Sequence, residues 1–109
     1  MAEIDLKRSV PAKLVHAGKW DELEPGDAIP LTSRDDKSVI GLLCSCPGCG
    51  KHLALDFVRE RPDHPRWNVA AGDPSKPETL TLSPSILHDP AKGACGWHGY
   101  LRGGVFEPC

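Results

Sequence analysis

The sequence has little that could form a long regular element or cross a membrane. Even its apolar run from Val39 to Cys44 stops far short of the roughly 20 residues that a membrane helix needs. Eleven glycines and eleven prolines among 109 residues interrupt the chain before a helix of ordinary length can form. Clustered basic residues are missing too: 13 Lys and Arg against 15 Asp and Glu leave a net charge of −2, with both signs interspersed. Capture of nucleic acid rests on such clusters, so nucleic acid is not the expected partner, and neither is a membrane. Met1 is followed by no basic start, apolar stretch and small-residue cleavage site, so no secretion by a signal peptide is expected. The five cysteines are therefore read as thiols or metal ligands in a reducing compartment rather than as disulfides.

Enzyme signatures are also lacking. No histidine is followed by Glu two residues on, and Cys46 follows Ser45 rather than Pro, which excludes the zinc-deaminase arrangement. His-Glu-x-x-His is absent. Ser83-Pro84-Ser85 lacks the glycines of a nucleophile elbow, and no Gly-rich loop with Lys could cradle a phosphate. No catalysis is expected on this reading.

What is present is a pair of ligand turns. Cys46-Pro47-Gly48-Cys49-Gly50 and Cys95-Gly96-Trp97-His98-Gly99 share a two-residue gap and flanking glycines. Two close pairs far apart in sequence let one tetrahedral ion tie distant turns together, so Cys46, Cys49, Cys95 and His98 are the expected ligands of a structural zinc. Cys44, His52 and His88 could each stand in for one of them. Cys44 lies two residues before Cys46, which in an extended strand puts both side chains on one face, although a core thiol is the preferred reading. A redox Cys-x-x-Cys is disfavoured because Pro and Gly follow at once and a strand pattern resumes at Leu53, whereas redox pairs open a helix. Cys109 reads as a free thiol, and His16 and His64 have no supporting neighbours.

The fold class is mostly β: a small zinc-stapled domain of short antiparallel strands and hairpins, zinc-ribbon-like. Val39 to Cys44 reads as a buried strand, and Leu53, Leu55 and Phe57 alternate with Ala54 and Asp56 as a strand with one buried face. Together they make a hairpin with the cysteines at its tip. Trp67-Asn68-Val69 and Thr79 to Leu82 read as further short strands. Gly103-Gly104 between two apolar runs supplies the positive φ angles of a second hairpin turn. Residues 1–36 are expected to be an N-terminal arm packing on the core or on a partner, and residues 37–109 the zinc-binding β domain.

Cys46-Pro47-Gly48-Cys49-Gly50, then Leu82-Ser83-Pro84-Ser85-Ile86, then Cys95-x-x-His98-Gly99-Tyr100-Leu101-Arg102-x-Gly104 is an order that resembles a small phage and prophage zinc-binding domain of unknown function, one often labelled ammonia monooxygenase. The resemblance covers about residues 42–106. It implies a phage setting and no established reaction, and gives Ser83-Pro84-Ser85 a structural role as a rigid turn. The function expected from all of this is a zinc-stabilised, phage-derived protein-interaction module: accessory, virion-associated or host-inhibiting. Its partner would be a phage structural or host protein, and its place the host cytoplasm or the virion. The competing expectations are a small zinc-dependent hydrolase using Asp56, Glu60 or Asp89, and a zinc-ribbon nucleic-acid binder using Arg59, Arg61, Arg66 and Arg102.

Overall fold

Alternation of apolar and polar residues over short stretches, cut by Gly and Pro, produces ten strands of two to seven residues in the computed structural model, which describes residues 6–58 and 66–109. They are β1 (Val10–Pro11), β2 (Lys13–Leu14), β3 (Asp27–Thr32), β4 (Val39–Ser45), β5 (His52–Asp56), β6 (Asn68–Ala71), β7 (Thr81–Ser83), β8 (Ile86–Leu87), β9 (His98–Arg102) and β10 (Val105–Pro108). Helical structure among the described residues is limited to three-residue 3-10 turns. The expected mostly β architecture is the one observed. Arg59, Glu60, Arg61 and His64 lie outside the described residues.

One four-stranded sheet runs β1-β10-β9-β8, a second runs β2-β3-β4-β5, and β6 pairs with β7. Among the described residues the named strands pair antiparallel except β2 with β3, and a single parallel bridge joins Asp56 of β5 to Arg66. The segment carrying β1 and β2 stitches the two larger sheets together. The Ala12 N–H donates to the Gly104 carbonyl at 2.8 Å on one side, and the Lys13 N–H to the Gly26 carbonyl at 3.0 Å on the other.

Leu42 and Leu55 of the second sheet and Ile86, Leu101 and Phe106 of the first are fully buried, with Trp97 meeting Phe106 edge-on at a centroid distance of 6.1 Å. Burying these side chains removes apolar surface at about 25 cal/mol per Å2. That fixes which face of each strand is inward. In β9, Gly99 and Leu101 are buried, so His98 and Arg102 project from the opposite face, with the Arg102 guanidinium 3.9 Å from the centre of the Tyr100 ring. The β9–β10 turn runs through Gly103 (φ +55°) and Gly104 (φ +79°), and a side chain at Gly104 would collide with the Glu78 carbonyl.

Candidate functional site

The β4–β5 hairpin carries Cys46 and Cys49 at its tip, as its sequence suggests. Facing them are Cys95, just before β9, and His88, just after β8. The ligand atoms of Cys46, Cys49, His88 and Cys95 all lie within 4.8 Å of one another. The two sulfurs of Cys46 and Cys95 are 3.6 Å apart, far beyond a disulfide bond, and His88 Nδ1 is 3.8 Å from the Sγ of both Cys49 and Cys95. Ligands around a tetrahedral zinc, with Zn–S about 2.3 Å and Zn–N about 2.0 Å, sit about 3.5–3.8 Å apart, so this group is close enough to hold a metal ion and compatible with zinc.

The surroundings favour thiolates once a cation is present. The Gly48 N–H points at Cys46 Sγ and the Trp97 N–H at Cys95 Sγ, each at 3.4 Å, the use for which the glycine-rich turns are suited. Burial pushes the Cys46 thiol up to about 12, which is the resistance of a low-dielectric site to a thiolate with no counter-charge. A divalent ion would supply that charge. Burial, followed by the nearby Lys51, also holds His88 below its ordinary value, a shift towards the neutral imidazole that a metal ligand needs. The His52 main chain, close to the ring, opposes that shift only in part.

The fourth member of the cluster is thus His88, where the sequence spacing suggested His98. Cross-strand register explains the exchange. Leu87 pairs with His98, and the His88 N–H donates to the Trp97 carbonyl at 2.8 Å, so His88 shares the inward face with buried Trp97 while His98 shares the outward face with Leu87. Cys44 is fully buried in β4, its thiol also pushed up to about 12 by burial and then by Cys46. His52 is exposed, its Nε2 2.8 Å from the Trp20 carbonyl oxygen. Neither Cys44 nor His52 joins the cluster.

His98 belongs to a second arrangement. Its Nε2 is 3.0 Å from Ser85 Oγ, and its Nδ1 is 3.2 Å from Cys109 Sγ. Three neighbouring segments supply this row: Ser85 enters β8, His98 opens β9, and Cys109 follows β10, with the Cys109 N–H bonded to the His98 carbonyl at 3.1 Å. The Cys109 thiol also contacts the His98 carbonyl oxygen at 3.6 Å. If the S–H donates there, sulfur accepts from Nδ1–H, and Nε2 is left as the acceptor for the Ser85 hydroxyl. Ser85 is held in turn by the indole N–H of buried Trp67, which donates to the Ser85 carbonyl at 3.2 Å.

The two arrangements are mechanically linked. Ser85 stands three residues before His88, and His98 three residues after Cys95. A metal ion bridging His88 and Cys95 would fix β8 against β9 and, with them, the Ser85–His98 separation. Sequence reasoning gave Ser85 only a structural role because no local signature surrounds it. A serine and a histidine 13 residues apart become neighbours only through the pairing of β8 with β9. Of the carboxylates expected in a hydrolase, Asp89 caps a 3-10 turn through the Ala91 N–H and Asp56 accepts from the Val58 N–H.

No curated protein and no solved structure matches the chain. A family model does, over residues 15–109, and it is described as "Bacterial ubiquitination-like system serine protease (BubE)". That match replaces the resemblance to a phage zinc-binding domain, and with it the expectations of a phage interaction module and of no catalysis, since the family is described as an enzyme. With nearly its whole described length matched, the chain belongs to the BubE family.

Proposed function

We propose that this chain is a serine protease in which Ser85 is the nucleophile, His98 the general base and Cys109 the group that orients His98, and that a structural zinc on Cys46, Cys49, His88 and Cys95 holds the pair in place. The observation that carries this is the 3.0 Å contact between Ser85 Oγ and His98 Nε2 with the other ring nitrogen already engaged. A nucleophile, a base within hydrogen-bond reach and a third group orienting the base are the parts that acyl transfer needs.

In the reaction Ser85 Oγ attacks a peptide carbonyl while its proton passes to His98 Nε2. The imidazolium then delivers that proton to the leaving amine, which departs and leaves an acyl ester on Ser85. A water that gives its proton to His98 attacks the ester, releases the carboxylic acid and returns the proton to Ser85. Proton transfer of this kind contributes typically about 10^2 to 10^4 in rate. Cys109 sulfur, accepting from Nδ1–H, holds the tautomer in which Nε2 can act as base. A zinc held by Cys46, Cys49, His88 and Cys95 would have four protein ligands and supply structure, which leaves the chemistry to Ser85. The substrate is taken to be a polypeptide of the ubiquitination-like system named in the family description.

A fluorophosphonate reagent tests the reading directly. Intact-protein and peptide mass spectrometry should find one adduct on Ser85 of the wild type and none on Ser85→Ala or His98→Ala. Labelling elsewhere, or none in a folded, zinc-loaded wild type, would remove Ser85 as nucleophile.

A further inference from the structure

A cleft of about 440 Å3 separates β5, the outer strand of one sheet, from β8, the outer strand of the other. Its lining includes His52, Leu53, Ala54, Trp67, Ser85 and Leu87. The nucleophile of the proposed protease therefore stands on the wall of a groove whose two sides are strand edges.

Hydrogen-bond parity shows which main-chain groups face it. The Phe57 N–H donates to the Ile40 carbonyl at 2.9 Å, so Phe57, Leu55 and Leu53 turn their main-chain groups towards β4. The Trp67 N–H reaches the Asp56 carbonyl at 2.9 Å from the other side, so Asp56, Ala54 and His52 turn theirs away from β4. Across the cleft, the His88 N–H donates to Trp97 and its carbonyl accepts from Gly96 at 2.9 Å, which turns His88 and Ile86 towards β9. Leu87 and Ser85 then face outward. Trp67 bridges the gap through its bonds to Asp56 and Ser85, while exposed Ala54 and half-exposed Leu87 stand on opposite sides.

We infer that this groove binds the substrate polypeptide as an extended segment, its main chain hydrogen-bonding to Ala54 on β5 and to Leu87 on β8, with the scissile carbonyl delivered to Ser85 Oγ. An extended chain is the occupant that two outward-facing strand edges recognise, because its own N–H and C=O groups alternate from side to side as theirs do. Affinity then comes from the main chain, and exposed Leu87 offers an apolar contact to one substrate side chain. The inference rests on Ser85 being the nucleophile only for the position of the cut. The groove itself is tested by binding.

A randomised octapeptide library is screened against the zinc-loaded Ser85→Ala protein, and the tightest binder is resynthesised with single N-methyl amides along its length. Loss of about tenfold or more in affinity at alternating positions, with little change between them, is the expected result, together with slowed amide exchange at Ala54 and Leu87 in the complex. Ala54→Pro should weaken the same peptide comparably while keeping zinc and melting temperature, since an outward N–H on an edge strand can be given up without breaking a ladder bond. Should Ala54→Pro not fold, the N-methyl scan carries the test alone. Library-wide failure to bind, or binding indifferent to every N-methyl group, would overturn the inference. If the binder shows the alternation but wild type never cleaves it, the groove stands and the assignment of Ser85 falls.

Discussion

Replacing the two histidines one at a time should separate folding from catalysis. His98 is exposed, and its ring meets Ser85 and Cys109, so His98→Ala removes surface interactions. Surface changes of that kind fall within about 0.5 kcal/mol, which moves the melting temperature of a domain this size by no more than about 4 °C. Zinc content should stay at one per chain. Activity should nevertheless fall by about 10^4 or more, as losses of the base in serine proteases do. His88→Ala has the opposite signature. Structural zinc contributes on the order of 10–16 kcal/mol at neutral pH in small zinc domains, against a total stability of about 5–15 kcal/mol, so weakening the site by one ligand threatens the whole fold. Native mass spectrometry for zinc, thermal melting and fluorophosphonate labelling, run on both variants side by side, give three independent readouts. If His98→Ala released the metal and unfolded the protein while His88→Ala left both intact, the ligand assignment drawn from the β8–β9 register would be wrong.

Three further outcomes follow from the same geometry. Cys109→Ala should lower kcat by about tenfold or more with KM and melting temperature little changed, a loss smaller than the ~10^4 contributed by a buried carboxylate partner in Ser-His-Asp enzymes. Equal kcat in variant and wild type would show that the thiol does not orient His98. A strong chelator should unfold the wild type, read by circular dichroism, and added zinc should restore both fold and labelling of Ser85; a chelated protein that stayed folded and active would contradict a structural metal. Gly104→Ala should destabilise the domain by at least about 1–3 kcal/mol from its positive φ alone, with the clash on the Glu78 carbonyl added, and a thermal melt within about a degree of wild type would refute that account.

Some of this protein was written locally in its chain. Alternating apolar residues in Leu53–Phe57 and the branched run at Val39–Cys44 were enough to announce the first hairpin, because a strand with one buried face repeats every two residues. Gly103-Gly104 announced the second, since few other residues accept two successive positive φ angles. Three of the four residues brought together in the Cys/His cluster stood out in the sequence for the same reason: Cys46, Cys49 and Cys95 sit in glycine-flanked turns whose form depends on neighbours in sequence. The N-terminal strands were less so, because β1 and β3 are chosen by their partners β10 and β4 rather than by any strong pattern of their own.

Tertiary structure alone decided between His88 and His98, placing one in the Cys/His cluster close enough to hold a metal ion and the other against Ser85. Both histidines stand near Cys95 in sequence, and only the pairing of Leu87 with His98 sets one imidazole inward beside the thiols and the other outward beside Ser85. The same pairing made Ser85 a neighbour of His98, and the crossing of β10 brought Cys109 to its other side. Residue identity and spacing determined which turns and strands could form. The register of strands joined over long distances determined which side chains met, because a shift by one residue turns every side chain to the opposite face.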